Sequence, residues 1–298
     1  MTNKGVVLVY PGFQNDAKKY QYNRIIEEFS KRSIDIDLLK VDDIIFEIDN
    51  NKANIQLKQY DFCIQLVKDK YIDALLNKNG IRSFNCYESI NNCDDKMMAF
   101  TLLENEGINM PITISGSKNS GIEKIDDTLV TDRLKNYVEE KLGYPLIVKK
   151  SDSKNGRDVY KINNREELND ICLKLNGSNY LFQEYIEDNS GKDIRVIVVG
   201  GKVVGSFMRV NDNSFKSNVK LGGKPVPYEI SKEYKETAEK VAKLLKMDYC
   251  SVDFFVTDPT KPIICEINPD PAFMSSEEII GENIAGILVD YIIEKIYK

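Results

Sequence analysis

The chain has 298 residues, 42% of them hydrophobic and 30% charged, and a net charge of −6. That length suffices for two or three compact units with sizeable cores, and the acidic balance argues against nucleic acid or an anionic membrane as the main partner. The chain contains no histidine, which excludes Ser-His and Cys-His dyads, histidine general bases and histidine-ligated zinc.

The first stretch alternates strand and helix signals. Val6 to Tyr10 is a short apolar run ended by Pro11-Gly12, and Tyr22 to Lys31 has helical spacing with Ile25, Ile26 and Phe29 on one stripe. Strands follow at Ile34–Leu39 and Asp61–Val67, a helix at Tyr71–Lys78 stopped by Gly80, and a strand at Ile81–Asn85. Strands separated by helices indicate a parallel sheet covered by helices, placed at residues 1–90. A helix over Asp94–Glu106, a Pro-led extended segment and a helix over Thr131–Leu142 come next. The strand Leu146–Lys150, the polar loop SDSKNGRD, the strand Val159–Ile162, a helix over Glu166–Leu175 capped by Asn164, and the strand Leu181–Tyr185 complete a small α+β unit at 91–187. The last unit, 188–298, opens with a hairpin, Ile194–Val199 and Val203–Arg209 about Gly200-Gly201. A long loop over Asn211–Pro227, a helix over Tyr234–Leu245, two strands and a final helix over Asn283–Ile296 finish it. Long ordered loops are uncommon unless functional.

The six cysteines are scattered without a C-x-x-C pair, as in reduced cytosolic proteins, and no apolar run approaches the ~20 residues of a membrane helix. A cytoplasmic location is the expectation.

The densest chemistry lies in SVDFFVTDPTKPIICEINPDP. The runs Ser251–Thr257 and Pro262–Asn268 flank a four-residue hairpin loop. Pairing Thr257 with Pro262 sets Phe255 opposite Ile264 and Asp253 opposite Glu266. Period-two alternation then gives Asp253, Glu266 and Asn268 one face, and points Val252, Phe254, Val256, Ile263, Cys265 and Ile267 into a core. Facing carboxylates repel, and a cation between them removes that cost. Oxygen donors alone suit Mg²⁺ or Mn²⁺. The bland alternative is a solvated acidic face.

Lys149 ends a buried strand beside the polar loop 151–158, where it can hold phosphate oxygens, although a surface lysine at a turn would read the same way. Glu184, at a strand end in LFQEYIED, can accept from an adenine amino group. Asp193 and Arg195 share a strand face, and Arg209 ends the partner strand. Two arginines near a metal suit a developing acyl phosphate, whereas a cross-strand ion pair with Asp193 is the structural alternative.

These elements, in this order, resemble the ATP-grasp superfamily, and most closely its RimK-like carboxylate–amine ligases. The likeness is carried by DDKMMAF at 94–100, YPLIVKK at 144–150, FQEYI at 182–186, GKDIRVIVVGGKVVGSFMR at 191–209, FKSNVKLGGKP at 215–225 and SVDFF…CEINPDPAF at 251–273, and covers about residues 90–298. It implies an α/β leading domain followed by two α+β subdomains clasping ATP. It further implies phosphate binding by Lys96 and Lys149, an adenine pocket at Glu184, Tyr185 and Ile186, and a ribose contact at Asp193. Lys216, Ser217 and Asn218 match the family's loop over the nucleotide, with Lys216 standing where the family has Arg. Asp253, Glu266 and Asn268 match its Mg²⁺ ligands, and Arg209, with Arg195, would steady the acyl phosphate. The flap 151–158 carries a single glycine, and Pro271-Ala272 stands where Pro-Gly is common. The expected activity joins a small-molecule or peptide carboxylate to an amine, with an amino acid such as glutamate as one candidate for the amine. The alternatives are a D-alanine–D-alanine-type ligase and an ATP-binding module without turnover.

Overall fold

The computed structural model describes residues 4–12, 16–57, 59–116, 118, 130–153 and 156–297, so Lys154 and Asn155 of the expected flap lie outside the described residues. The chain begins with β1 (Gly5–Val9), α1 (Asp16–Lys31), β2 (Ile36–Lys40), the hairpin β3 (Phe46–Asp49) and β4 (Lys52–Ile55), β5 (Phe62–Gln65), α2 (Lys70–Lys78) and β6 (Arg82–Phe84). β1, β2, β5 and β6 form a parallel sheet in the order β2-β1-β5-β6. β1 is the run GVVLV, buried along its whole length, as a strand covered on both faces must be. The β3–β4 hairpin was not anticipated from the sequence.

The helix expected over Asp94–Glu106 is the shorter α4 (Lys96–Leu102), and a helix the sequence reading does not contain, α3 (Tyr87–Asp94), precedes it. Asp95 separates them because its side chain accepts from the backbone N–H groups of Met97 and Met98, which starts a new helix. β7 (Thr113–Ser115), α5 (Asp132–Leu142), β8 (Leu146–Lys150), β9 (Val159–Ile162), α6 (Arg165–Lys174) and β10 (Tyr180–Glu184) follow. Their strands make an antiparallel sheet, β7-β10-β8-β9. This middle unit has its own core, built on Val138, Val148, Leu168 and Phe182.

The last unit contains β11 (Lys192–Val199), β12 (Lys202–Val210), β13 (Lys224–Pro227), α7 (Lys232–Leu244), β14 (Tyr249–Phe254), β15 (Ile264–Asn268), α8 (Met274–Ile280) and α9 (Ile284–Ile296). Its strands form an antiparallel sheet in the order β13-β12-β11-β14-β15. The end of the expected long loop is therefore a strand. With two prolines β13 cannot donate regularly, and it sits at the sheet edge where that is tolerated.

The hairpin register is corrected in part. Asp253 does stand opposite Glu266, but Phe254, not Phe255, pairs with Ile264, because a bulge intervenes. Ile264 N donates to Asn109 O at 3.0 Å, and the turn spreads to residues 255–263. Cys265 consequently lines the cleft described below instead of the core.

One face of this sheet packs Val196, Val252 and Phe254 against α7 and, through Phe100, against α4. The other sets Ile197, Val199 and Tyr249 in one core with α9, with Ile25 and Phe29 of α1, and with Val7, Ile64 and Phe84 of the parallel sheet. Asn85 pins this junction. Its Nδ2 donates to the carbonyls of Tyr249 and Pro269, each at 2.6 Å, and its Oδ1 accepts from Asp248 N at 2.7 Å and Tyr249 N at 3.0 Å.

Candidate active site

The three units enclose two recesses that share a wall. The first encloses about 850 Å³, counting space open to solvent. Lys149, Glu184, Tyr185 and Ile186 come to it from the middle sheet and the segment after it. Asp193 and Arg209 come from β11 and β12, Lys216, Ser217 and Asn218 from the loop before β13, Lys96 from α4 and Glu266 from β15. The second recess lies between the carboxyl ends of β1 and β5 and the C-terminal sheet, with Tyr10, Lys18 and Lys68 on one side and Arg195, Asn268 and Asp270 on the other. Arg209, Asn218 and Glu266 line both recesses. Asp253 lines neither and is only 1% exposed.

A row of charges crosses four strands on one sheet face, because register sets Arg209 opposite Asp193, Arg195 opposite Asp253, and Asp253 opposite Glu266. Arg195 grips Asp253 with two bonds, Nε to Oδ1 at 2.8 Å and Nη2 to Oδ2 at 2.7 Å. Arg209 donates to Asp253 Oδ2 at 2.8 Å and to both oxygens of Asp193, with Nε to Oδ1 at 2.7 Å. Ser217 Oγ donates to Asp193 Oδ2 at 2.7 Å, which ties the loop to the row. Burial pulls on Arg209, but Asp253 and Asp193 outweigh it and hold its guanidinium above the usual arginine range. Burial raises Asp253 as well, and the two arginines overturn that and hold its carboxyl below the usual range.

Opposite this row stand two lysines. Lys149 is 6% exposed, and its Nζ donates to the neutral amide of Gln183 at 2.9 Å. Gln183 is in turn held by donation to Thr113 Oγ1 at 2.9 Å. Burial lowers the Lys149 ammonium from its usual value, and nearby Lys96 adds to this against the pull of Cys265 and Glu266. Lys96 Nζ lies 3.1 Å from Glu266 Oε1 and donates to Ser153 O at 2.6 Å, so α4, β15 and the loop after β8 meet at one ammonium. Lys216 Nζ donates to Gly156 O at 2.8 Å, which joins the two expected lid segments across the first recess. Gly156 has φ +68°, and a Cβ there would fall 2.4 Å from Asn218 Oδ1. At the far end Glu184 Oε1 accepts from Ile112 N at 2.8 Å, and Lys161 Nζ sits 3.9 Å from the Tyr185 ring centroid.

The donor set suits a hard cation in part. Glu266 and Asn268 bring carboxylate and amide oxygens to the cleft surface, with the Asn268 Nδ2 turned to Asp253 Oδ2 at 3.2 Å and its Oδ1 turned away. Asp253 is committed to two arginines. Among the described residues no group of three or more His, Cys, Asp or Glu is placed to hold a metal ion. Such a site depends on the ligand's own phosphate oxygens, the usual manner of Mg²⁺.

Sequence reading missed the contributions of Gln183, Phe215, Phe255 and Cys265 to the first recess, and of Tyr10, Lys18 and Lys68 to the second. The last three had a usable signal, since ligands bind outside the carboxyl ends of parallel strands. No helix among the described residues is long and apolar enough to cross a membrane.

Residues 93–292 match the RimK-like ATP-grasp domain family. The human N-acetylaspartylglutamate synthase A is 35% identical over 218 residues, covering 72% of this chain and 53% of that protein. The chain thus spans about half the length of that curated relative. A probable alpha-L-glutamate ligase of Methanococcoides burtonii is 29% identical over 289 residues, covering 92% of each. Among solved structures, the ATP complex of D-alanine–D-alanine ligase from Bacillus anthracis superposes with a TM-score of 0.70 at 20% identity, covering 100% of this chain and 98% of that one. At that identity the likeness is one of fold.

Proposed function

Since the chain belongs to the RimK-like ATP-grasp family, we propose that it is a Mg-ATP-dependent carboxylate–amine ligase working through an acyl phosphate. The observation that carries this reading is the wall common to the two recesses, where Arg209, Asn218 and Glu266 border both. A nucleotide lying in the first recess, with its base near Glu184, Tyr185 and Ile186 and its phosphates near Lys149 and Lys96, ends at that wall. A carboxylate in the second recess reaches the same place. Phosphoryl transfer asks the protein for positioning and for neutralisation of charge, and the two lysines and Arg209 supply cations around the transfer point. Asp193 takes the ribose side, and Lys216, Ser217 and Asn218 close over the phosphates. Glu266 and Asn268 would hold Mg²⁺, with Asp253, bound to Arg195 and Arg209, positioning Asn268 behind them; the ion when bound would neutralise phosphate charge. Arg209 and Arg195 border the second recess where the acyl phosphate would form. Excluding water preserves that intermediate until the amine attacks, a role for the lid contact between Lys216 and Gly156.

The unit boundaries proposed are 1–90, 91–187 and 188–298, with α4 and α9 packing across them. The relatives named for glutamate products support an amino acid, L-glutamate first, as the amine.

The test is ADP release against pooled acids and amines, followed by transfer of carboxylate ¹⁸O into phosphate. ADP formed only when both an acid and an amine are present, with label in phosphate, is the expected result. Tight ATP binding without turnover across the panel would overturn it. Turnover by D-amino acids alone would replace the glutamate assignment. In Glu266→Ala, metal-dependent ADP release should collapse while the circular dichroism spectrum is retained.

A further inference from the structure

A third recess lies away from the nucleotide cleft, between the start of α2 and the end of α3, lined among others by Lys68, Asp69, Tyr71, Asp73, Tyr87 and Asp94. Among the described residues three carboxylates and one ammonium line it, which gives it a negative lining. A cluster of acids on a surface needs no ligand, but Asp73 is not on the surface. It is 0% exposed, and neither carboxylate oxygen has a hydrogen-bond partner among the described residues. Its neighbours cannot satisfy it. Asp69 Oδ1 caps α2 by accepting from Tyr71 N and Ile72 N, and Lys68 Nζ is drawn to Asp94 Oδ1 at 2.7 Å. Leaving a buried carboxylate unbonded is costly, so the fold has kept an acceptor that it does not use itself.

We propose that this recess binds the ammonium group of a small organic amine, with Asp73 as its principal acceptor and the rings of Tyr71 and Tyr87 beside the alkyl portion. The chemistry of the lining selects this class. Carboxylates with tyrosine faces favour an organic ammonium, which uses both ionic hydrogen bonds and the ring quadrupole. The carboxylates do not converge as a metal site does, consistent with no three-acid metal cluster among the described residues. Lys68 gives the site a route to the cleft, because it lines this recess and the second recess alike. An ammonium arriving beside Asp94 competes for the partner of Lys68 and frees that side chain toward the carboxylate recess. That coupling rests on the ligase reading; the binding itself does not.

Burial, with a smaller push from Asp69, raises the Asp73 carboxyl to about 7, so amine binding should strengthen as pH rises through that value. The other groups facing it leave that sign intact. Burial keeps Cys63 a neutral thiol and Tyr10 a neutral phenol. Lys68, Asp69, Tyr71, Tyr87 and Asp94 line the same recess.

The experiment is a calorimetric titration of the full chain, without nucleotide, with methylammonium and spermidine chlorides, against NaCl and MgCl₂ controls. Saturable binding of either amine is expected, about tenfold weaker in Asp73→Asn and in Asp94→Asn. The Asp94 variant, altered at a partly exposed side chain, guards against misfolding of the first. No saturable amine binding, equal affinity in wild type and both variants, or binding of Na⁺ or Mg²⁺ as strong as the amine would each overturn the proposal. If ADP release is absent in every assay while amine binding shows this pattern, the ligase reading fails and the site stands. Should the ligase assay succeed, Asp73→Asn is expected to retain basal ADP release and to lose any stimulation by methylammonium.

Discussion

Two buried cations line the first recess, and their surroundings are opposite. Arg209 is enclosed by Asp193 and Asp253, both of them ionic partners, and its charge is reinforced. Lys149 is equally buried, and among the described residues its ammonium donates to the neutral amide of Gln183, so burial outweighs the pull of Cys265 and Glu266 and weakens its charge. A cation whose counter-charges are built in serves the architecture even without a ligand. A cation buried without one carries a desolvation cost that an arriving anion relieves. On the proposed reading Lys149 is the group that would take phosphate, and the arginine row is the frame that ties Asp253 and, through Ser217, the loop before β13 to the sheet.

Substitution by methionine at each position separates the two roles most sharply. Arg209→Met orphans two buried carboxylates and should cost about 3–5 kcal/mol of stability, read from the urea midpoint. If that variant is as stable as wild type, the distinction between the cations fails. Lys149→Met removes an uncompensated charge and should leave stability equal or higher, while ATP affinity falls by about 10–100-fold in a nucleotide titration. A loss of stability with unchanged ATP affinity would reverse the assignment.

Asp73 extends the contrast to the opposite sign, as a lone buried anion. Its carboxyl lies at about 7 when folded against the usual 3.8, so the folded state holds the extra proton between those values. Stability contributed by that proton is full at low pH and is lost as pH rises to about 7. Asp73→Asn should therefore match wild type near pH 4 and exceed it by ~4 kcal/mol above pH 7, as measured by denaturant unfolding across that range. A constant difference across the range would show that Asp73 stays ionised. The smallest effect is expected for Gln183→Leu, which strips Lys149 of its neutral partner and should cost about 1 kcal/mol with a modest loss of ATP affinity.

The charged row was legible because strand alternation and hairpin pairing are local rules. Asp253 opposite Glu266 and Asp193 beside Arg195 follow from counting along the chain. What alternation could not reveal was that Asp253 would be spent on arginines, since that depends on which strands become neighbours. Cys265 was misplaced for a related reason. Asn109, far away in sequence, takes the backbone bond of Ile264 and shifts the register by a bulge. Lys18 and Lys68 were invisible as site residues because their place is set by docking one sheet against another. The start of α4 was readable in principle, since Asp95 is a good capping residue, whereas α3 escaped notice because its sequence YESINNCD is largely polar and shows little apolar stripe.

The amide of Asn85 has a mechanical consequence. By bonding four backbone groups across the junction it welds the opening sheet to the closing one, and the apolar layer with α1 and α9 seals that weld. The portion between them keeps an interior of its own. Should the cleft open for a ligand, the expected movement is of the chain's centre against a fused base of its two ends, the jaw being the middle of the sequence.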